Sequence, residues 1–338
     1  MNALRTRVLT IGIALLAVTA AGCASNTGPV NLASTGKADV VEPGHVKMGK
    51  AALPPPAAST PGCSNPTASL RPPSPMPAPG HMPAGSTMAQ IQAEGHLTVG
   101  VDQNTFLFGY RNPKTNNLEG FDIQMARDVA QAIFGDPDKI VFKAINSLQR
   151  TTVLEPGHPV SKDGVDLVVR TFTINCDRLQ TVAFSTVYYQ AQRRVLVQAN
   201  SPVRSIADLG GKRVCATTGS DSLSQGQDGA KPPIPVAVDD WSDCLVMLQQ
   251  NQVDAVSTDD TILAGMHAQD PNTKIVGAPI APEPYGIAMR KADPDFVAFV
   301  NGVLQQVRTD GEWTKTYNQW LSGALGPAPA PPQPTYSN

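Results

Sequence analysis

Between Leu97 and Leu321 short apolar runs alternate with stretches of helical period, and this restricts the fold more than any other feature of the chain. Leu97–Val101, Ile140–Phe142, Asp166–Val169, Leu196 with Val197, Arg213–Cys215, Val253–Ser257 and Lys274–Val276 are short and read as strands. Met88–Glu94, Phe121–Phe134, Trp241–Gln250 and Ile262–Ala268 read as helices. In the second of these, Phe121, Met125, Val129 and Ile133 share one face. Phe296–Arg308 and Glu312–Leu321 close the folded part as helices. Strands alternating with helices imply α/β layers with mostly parallel sheets.

The flanks read differently. Of 31 prolines, 13 precede Gly95 and five follow Gly326. Ala24 to about Gly85 is rich in Pro, Ala, Ser, Gly and Thr and reads as a tether with polyproline II character. The tail after Gly326 has the same composition and is expected to be disordered. With 26 basic and 28 acidic residues there is no electrostatic footprint for nucleic acid. No apolar stretch reaches the ~20 residues of a spanning helix.

Arg5 and Arg7 precede an apolar segment, Val8 to Ala21, which ends in Ala20-Ala21-Gly22-Cys23. A basic start, a short apolar core and small residues before a cysteine make this end similar to a bacterial lipoprotein signal. The resemblance implies removal of residues 1–22, lipidation of the Cys23 thiol and residence on the extracytoplasmic face of the cell membrane, lipid-anchored. Outside the cytoplasm the remaining cysteines, Cys63, Cys176, Cys215 and Cys244, are expected to pair, in one of three connectivities. No metal-ligand spacing occurs among the cysteines and the five histidines, so neither metal nor cofactor is expected.

The element order meets local motifs in GFDIQMARDVA from Gly120, VDLVVRTFTINCDR ending at Arg178, FSTVYY from Phe184, SIADLGGKRV from Ser205 and VDAVSTDD ending at Asp260. Together they resemble the polar amino-acid branch of bacterial solute-binding proteins, the receptors of ABC importers. With the signal and tether, the likeness is to actinobacterial glutamine- and glutamate-binding lipoproteins. It runs from about Thr98 to Leu321 and implies a two-lobe, periplasmic-binding-protein-like (type II) α/β fold with two crossing strands as hinge. Lobe 1 is then expected at 88–190 plus 288–323 and lobe 2 at 194–285. The crossings fall near Arg193–Val197 and Tyr285–Met289, the tether at 23–86 and the tail at 326–338. Cys215 and Cys244 share the expected second lobe, which favours their pairing and leaves Cys63 with Cys176.

An amino acid asks of its site a cation for the carboxylate, an anion for the ammonium and a side-chain pocket, all closely paired because buried charge is costly. By resemblance Arg178 holds the carboxylate. Asp260 holds the ammonium, with Asp259 as the competing register, and Thr171 and Thr173 assist. Thr218, Gly219 and Ser220 offer a second clamp through backbone N–H groups. Arg150 with Ser147 three residues earlier, or Arg170, would read a side-chain carboxylate. Phe106 is the expected cleft aromatic, with Phe108 as the other candidate, and Asp102 nearby would oppose an acidic ligand.

The resemblance implies capture of glutamate or aspartate, or of glutamine or asparagine, by a monomeric receptor that presents its ligand to a permease. A sensor lipoprotein using the same cleft to signal through a membrane partner is the alternative. No nucleophile–base pattern or cofactor loop points to an enzyme.

Overall fold

The computed structural model describes residues 45–54, 63–158, 162–224, 227 and 229–337. The signal segment, Cys23 and the first part of the tether lie outside the described residues.

Two short strands, β1 (Lys47–Met48) and β2 (Ala68–Ser69), come first. Helix α1 (Thr87–Glu94) starts at Ser86, whose hydroxyl accepts from Ala89 N–H, and stops at left-handed Gly95. Next come β3 (Leu97–Val101) and a small antiparallel sheet of β4 (Asn104–Thr105), β5 (Gly109–Arg111) and β6 (Leu118–Glu119). Helix α2 (Phe121–Phe134), β7 (Ile140–Ala144), the single turn α3 (Gln149–Thr152), β8 (Leu167–Val168) and β9 (Val182–Phe184) follow. β3 pairs in parallel with β7 and β8. Every residue of β3 is buried, which is why it reads as a continuous run and not an alternation. Side chains still alternate across the sheet. Leu167 and Val169 join the core with Met125 and Val129 of α2, while Val168 packs with Ile145, Phe172 and Phe184 on the other face.

The ten-residue strand β10 (Tyr189–Gln198) then leaves for the second lobe. There β11 (Arg213–Thr217), β12 (Ile234–Val238), α4 (Trp241–Gln249), β13 (Ala255–Asp259), α5 (Asp260–Gln269) and β14 (Thr273–Val276) build a sheet in the order β1-β12-β11-β13-β10-β14. β12, β11 and β13 are parallel, β10 runs against them, and β14, antiparallel to β10, runs in their direction. The return strand β15 (Pro282–Tyr285) pairs with β10, Tyr189 opposite Tyr285 and Gln192 opposite Pro282. β16 (Ala288–Arg290) re-enters the first sheet, completing β7-β3-β8-β16-β9. Helices α6 (Pro294–Thr309), α7 (Glu312–Trp320) and α8 (Ser322–Leu325) close the first lobe. The chain is therefore the two-lobe fold, with crossing strands at 189–192 and 282–285. Arg193–Val197 lies just beyond the crossing and already pairs with β13 and β14. Among the described residues no helix is long and apolar enough to cross a membrane.

Both favoured disulfides form, Cys63–Cys176 with 5.8 Å between Cα atoms and Cys215–Cys244 with 5.6 Å. Where they are described, at 45–54, 63–86 and 326–337, the flanks lie against the lobes and not free as the tether and tail expected at 23–86 and 326–338. β1 adds to the edge of β12, and Ala52 is buried in the second lobe's core. Residues 63–86 lie on the first lobe, with Met76 seated over Gly302, where a Cβ would stand 2.1 Å from its Sδ. Strand β17 (Thr335–Tyr336) of the tail runs parallel to β2, and Ser337 N–H donates to Ser69 O at 2.8 Å. Proline-rich composition records the lack of helix, and a few anchors (Ser69, Met76, Met82) suffice to dock an extended chain on a formed surface.

Asn301 of α6, fully buried, joins these pieces. Its amide donates to Ser69 Oγ at 2.8 Å and Leu70 O at 2.7 Å, and its carbonyl accepts from Thr186 N–H at 2.7 Å. Asn301→Leu would leave the Thr186 N–H buried without a partner and strip Ser69 Oγ and Leu70 O of their donor, Ser69 Oγ keeping its bond to Phe184 O. The expected loss is about 3 kcal/mol of unfolding free energy in urea titrations, at one to three for each orphaned group with partial relaxation.

Candidate functional site

The cleft between the lobes is lined from both sides and is nearly filled by its own side chains, with a free volume of about 10 Å³, room for about one water. Its floor is the loop after β8. Thr171 there has φ 40°, a left-handed conformation that is strained for a β-branched residue. Asp122 of α2 holds it, accepting Thr171 N–H at 2.8 Å and the Tyr188 hydroxyl at 2.7 Å. The constrained turn brings Thr171 and Thr173 to the cleft, and Thr171 Oγ1 is buried with no hydrogen-bond partner among the described residues.

Three arginines face this space. Arg178, at the start of a 3-10 turn, donates through Nη1 to Thr173 O at 2.7 Å and forms an ion pair with Asp221 of the second lobe. Arg193, at the end of the crossing, pairs with Glu283 of β15. Arg150, 4% exposed, behaves differently. It donates to Ser147 O (2.9 Å), Thr171 O (3.2 Å) and Gly219 O (3.1 Å), and has no carboxylate partner among the described residues. Burial, then the charges of Arg178 and Arg170, press its pKa well down. The Phe172 ring carries both neighbouring guanidinium groups, Arg150 at 4.4 Å and Arg178 at 4.7 Å from its centroid.

Across the cleft, Gly219 at φ 83° lets the lobes close, since a Cβ there would stand 2.7 Å from Leu148 Cα. Asp259, at the end of β13, accepts the Tyr285 hydroxyl at 2.5 Å. Burial, and then the neighbouring Glu283, push its carboxyl up to about 8. Glu283 is likewise raised by burial.

The expected residues separate in this geometry. Arg178, Arg150, Thr171, Thr173 and Ser220 line the cleft. Of the two adjacent acids, Asp259 faces it, while Asp260 turns away and accepts Gln192 N–H at 3.1 Å. Strand β13 is buried through Asp259, so Asp260 falls on the first turn of α5. Arg170 is fully buried behind the cleft, paired with Asp102 at 2.7 Å and donating to Ile145 O at 2.7 Å. Asp102 is thereby matched and does not oppose a ligand anion. Ser147 also sits behind, accepting from Arg170 Nη1 (2.8 Å) and Thr217 Oγ1 (2.9 Å). Thr218 and Ser220 spend their N–H groups on Val238 O and Thr217 O, which leaves neither for an anion. Phe106 is not a lining residue. It packs edge-on against Tyr110, and the fully buried Phe108 lies in the first lobe's core.

Sequence reasoning missed Arg193, Asp221, Glu283 and Trp241 as cleft residues. The charges Arg193 and Glu283 interrupt strands that otherwise bury apolar and aromatic side chains, and that anomaly was a readable signal.

Residues 97–323 match the bacterial extracellular solute-binding proteins, family 3. The chain is 34% identical over 236 residues to the ABC transporter glutamine-binding protein GlnH of Bacillus subtilis, covering 70% of this chain and 84% of that protein. It is 29% identical to the glutamate-binding protein GluB of Corynebacterium glutamicum, covering 69% of this chain and 79% of that one. The structure resembles the solute receptor for L-cysteine of Neisseria gonorrhoeae with a TM-score of 0.66 at 24% identity, over 71% of this chain and 96% of the receptor.

An acid whose folded pKa is raised holds its proton in the native state while the unfolded chain has released it. Stability is then lost as pH rises from the unfolded value near 4 to about 8. Asp259→Asn removes that dependence. The variant should gain stability over the parent progressively between pH 5 and pH 8 in chemical denaturation, and a constant difference across that range would contradict the assignment.

Proposed function

The chain belongs to the bacterial extracellular solute-binding proteins of family 3, and from that premise we propose that it is the lipid-anchored receptor of an ABC amino-acid importer, selective for acidic amino acids. It is a binding protein and not an enzyme. One observation carries the preference for acids. Among the described residues Arg150 is a buried guanidinium whose hydrogen bonds all go to carbonyl oxygens, with an aromatic face beside it and Asp221 and Asp259 acting on it only at a distance, so a ligand carboxylate supplies a direct anionic partner. An amide side chain supplies hydrogen bonds but no charge.

In this reading Arg178 takes the α-carboxylate with its planar fork. Asp259 and the unpartnered Thr171 hydroxyl take the ammonium, and the incoming cation draws the Asp259 proton off. Thr173 completes that side and Arg150 faces the side-chain carboxylate. The relatives named for glutamine and for glutamate support a ligand of this size and polarity. Lipid at Cys23 rests on the apolar segment and small residues before that cysteine. Delivery to a membrane permease rests on the family, and a single chain suffices for the site.

A thermal-shift screen of the mature chain against the twenty amino acids tests the reading, since a bound ligand raises Tm by mass action. L-glutamate and L-aspartate should give the largest shifts. Arg178→Ala should abolish binding in calorimetry while leaving the protein folded. Arg150→Ala should weaken L-glutamate by about tenfold or more, the equivalent of one charged hydrogen bond, with a far smaller effect on L-glutamine. Equal losses for the two ligands would remove Arg150 from side-chain recognition.

A further inference from the structure

We propose that Asp221 is an internal competitor for the ligand's α-carboxylate, latching onto Arg178 from across the cleft until ligand displaces it. The inference rests on the assignment of Arg178 made above and adds a regulation of that same site.

Asp221 opens the short 3-10 segment Asp221–Ser224 in the second lobe, whereas Asn175 and Arg178 belong to the first. Both of its carboxylate oxygens are engaged from the opposite lobe. Oδ1 takes the Arg178 fork, and Oδ2 accepts Asn175 Nδ2 at 2.8 Å. Asn175 is itself fixed to the arginine, its Oδ1 accepting Arg178 N–H at 2.9 Å. Arg178 spends Nη1 on Thr173 O and a longer contact on Gly219 O, so the anion-facing edge of its fork is the part that Asp221 occupies.

The other two acids of the cleft are held differently. Glu283 pairs with Arg193 between the two crossing strands, and Asp259 takes the hydroxyl of Tyr285 at the end of one of them. Those contacts lie within the hinge and survive lobe movement. The pair at Asp221 spans the moving surfaces, so it exists only when the lobes are closed. Burial works against the charged form of Asp221, but Arg178, Arg150 and Arg193 outweigh it and keep its carboxyl below the usual range. The competitor is therefore anionic at neutral pH, as a carboxylate ligand is.

Two consequences follow from one contact. The unliganded protein has a closed state of its own, stabilised by a side chain in place of a solute. The apparent affinity for ligand is reduced by the fraction of molecules so latched, and a protein latched roughly nine-tenths of the time binds about tenfold more weakly than its open form.

Calorimetry with L-glutamate on the mature full chain separates the possibilities, using Asp221→Asn, Asp221→Ala and Arg178→Ala beside the parent. Small-angle scattering follows the unliganded forms. Both Asp221 variants should bind about five- to tenfold more tightly, and their unliganded radius of gyration should exceed the parent's, falling to the same value once glutamate is added. Unchanged or weaker binding in both variants, with Arg178→Ala inactive, overturns the competitor while leaving the site assignment standing. That result would make Asp221 a bystander or a ligand contact. If Arg178→Ala binds like the parent, the site assignment itself fails and the competitor fails with it.

Discussion

A guanidinium withdrawn from water has to be given partners, and this cleft gathers three of them. Each is answered by a different device. Arg193 has a carboxylate on the neighbouring strand, Arg178 has one on the opposite lobe, and Arg150 has carbonyl oxygens and the face of Phe172. A fourth, Arg170, is neutralised behind the floor by Asp102. Much of the surrounding architecture serves these pairings. The strained turn at Thr171 points two backbone carbonyls of the loop at Arg150, and Asp122 stabilises that turn from beneath. The absence of a side chain at Gly219 lets its carbonyl reach both Arg150 and Arg178.

How the sequence reports such a structure depends on what each residue is asked to do. β3 is buried on both faces, so its compact apolar run alone marks it as a strand. α2 carries its core residues at helical spacing, and its ends are set by glycines at 120 and 135. These are local properties, legible without knowing the neighbours. That Arg178 of the NCDR stretch lines the cleft was also legible, because a motif of several residues carries it. The error between Asp259 and Asp260 was of another kind. Both are acids at a strand–helix junction, and only the register of β13 against β10, with Arg193 opposite Asp259, decides which one points inward. Arg170 shows the same limit. A buried arginine beside a cleft and a ligand-facing arginine have the same sequence signature, and a carboxylate 68 residues earlier distinguishes them.

The flanking segments failed for a different reason. Their prolines and small residues do lack any periodic apolar face, so composition reads them as linkers. Docking here asks little of sequence pattern. β1 contributes two residues to an existing sheet edge, and β2 and β17 pair two residues each. A formed lobe supplies the surface, and Asn301 supplies the hydrogen bonds that composition could not announce.

The two disulfides have a bearing on the unfolded chain as well as the folded one. Cys63–Cys176 closes a ring across 113 positions and Cys215–Cys244 one across 29. In the chain-entropy picture, rings of such sizes remove roughly 3–5 kcal/mol each from the denatured ensemble. The first ring holds β3, α2, β7 and β8, most of the part of lobe 1 that precedes the crossing, and the second joins β11 to α4 within lobe 2. Neither ring includes a residue of the crossing strands. The covalent restraint is thus divided between the lobes, confining each one's disorder separately.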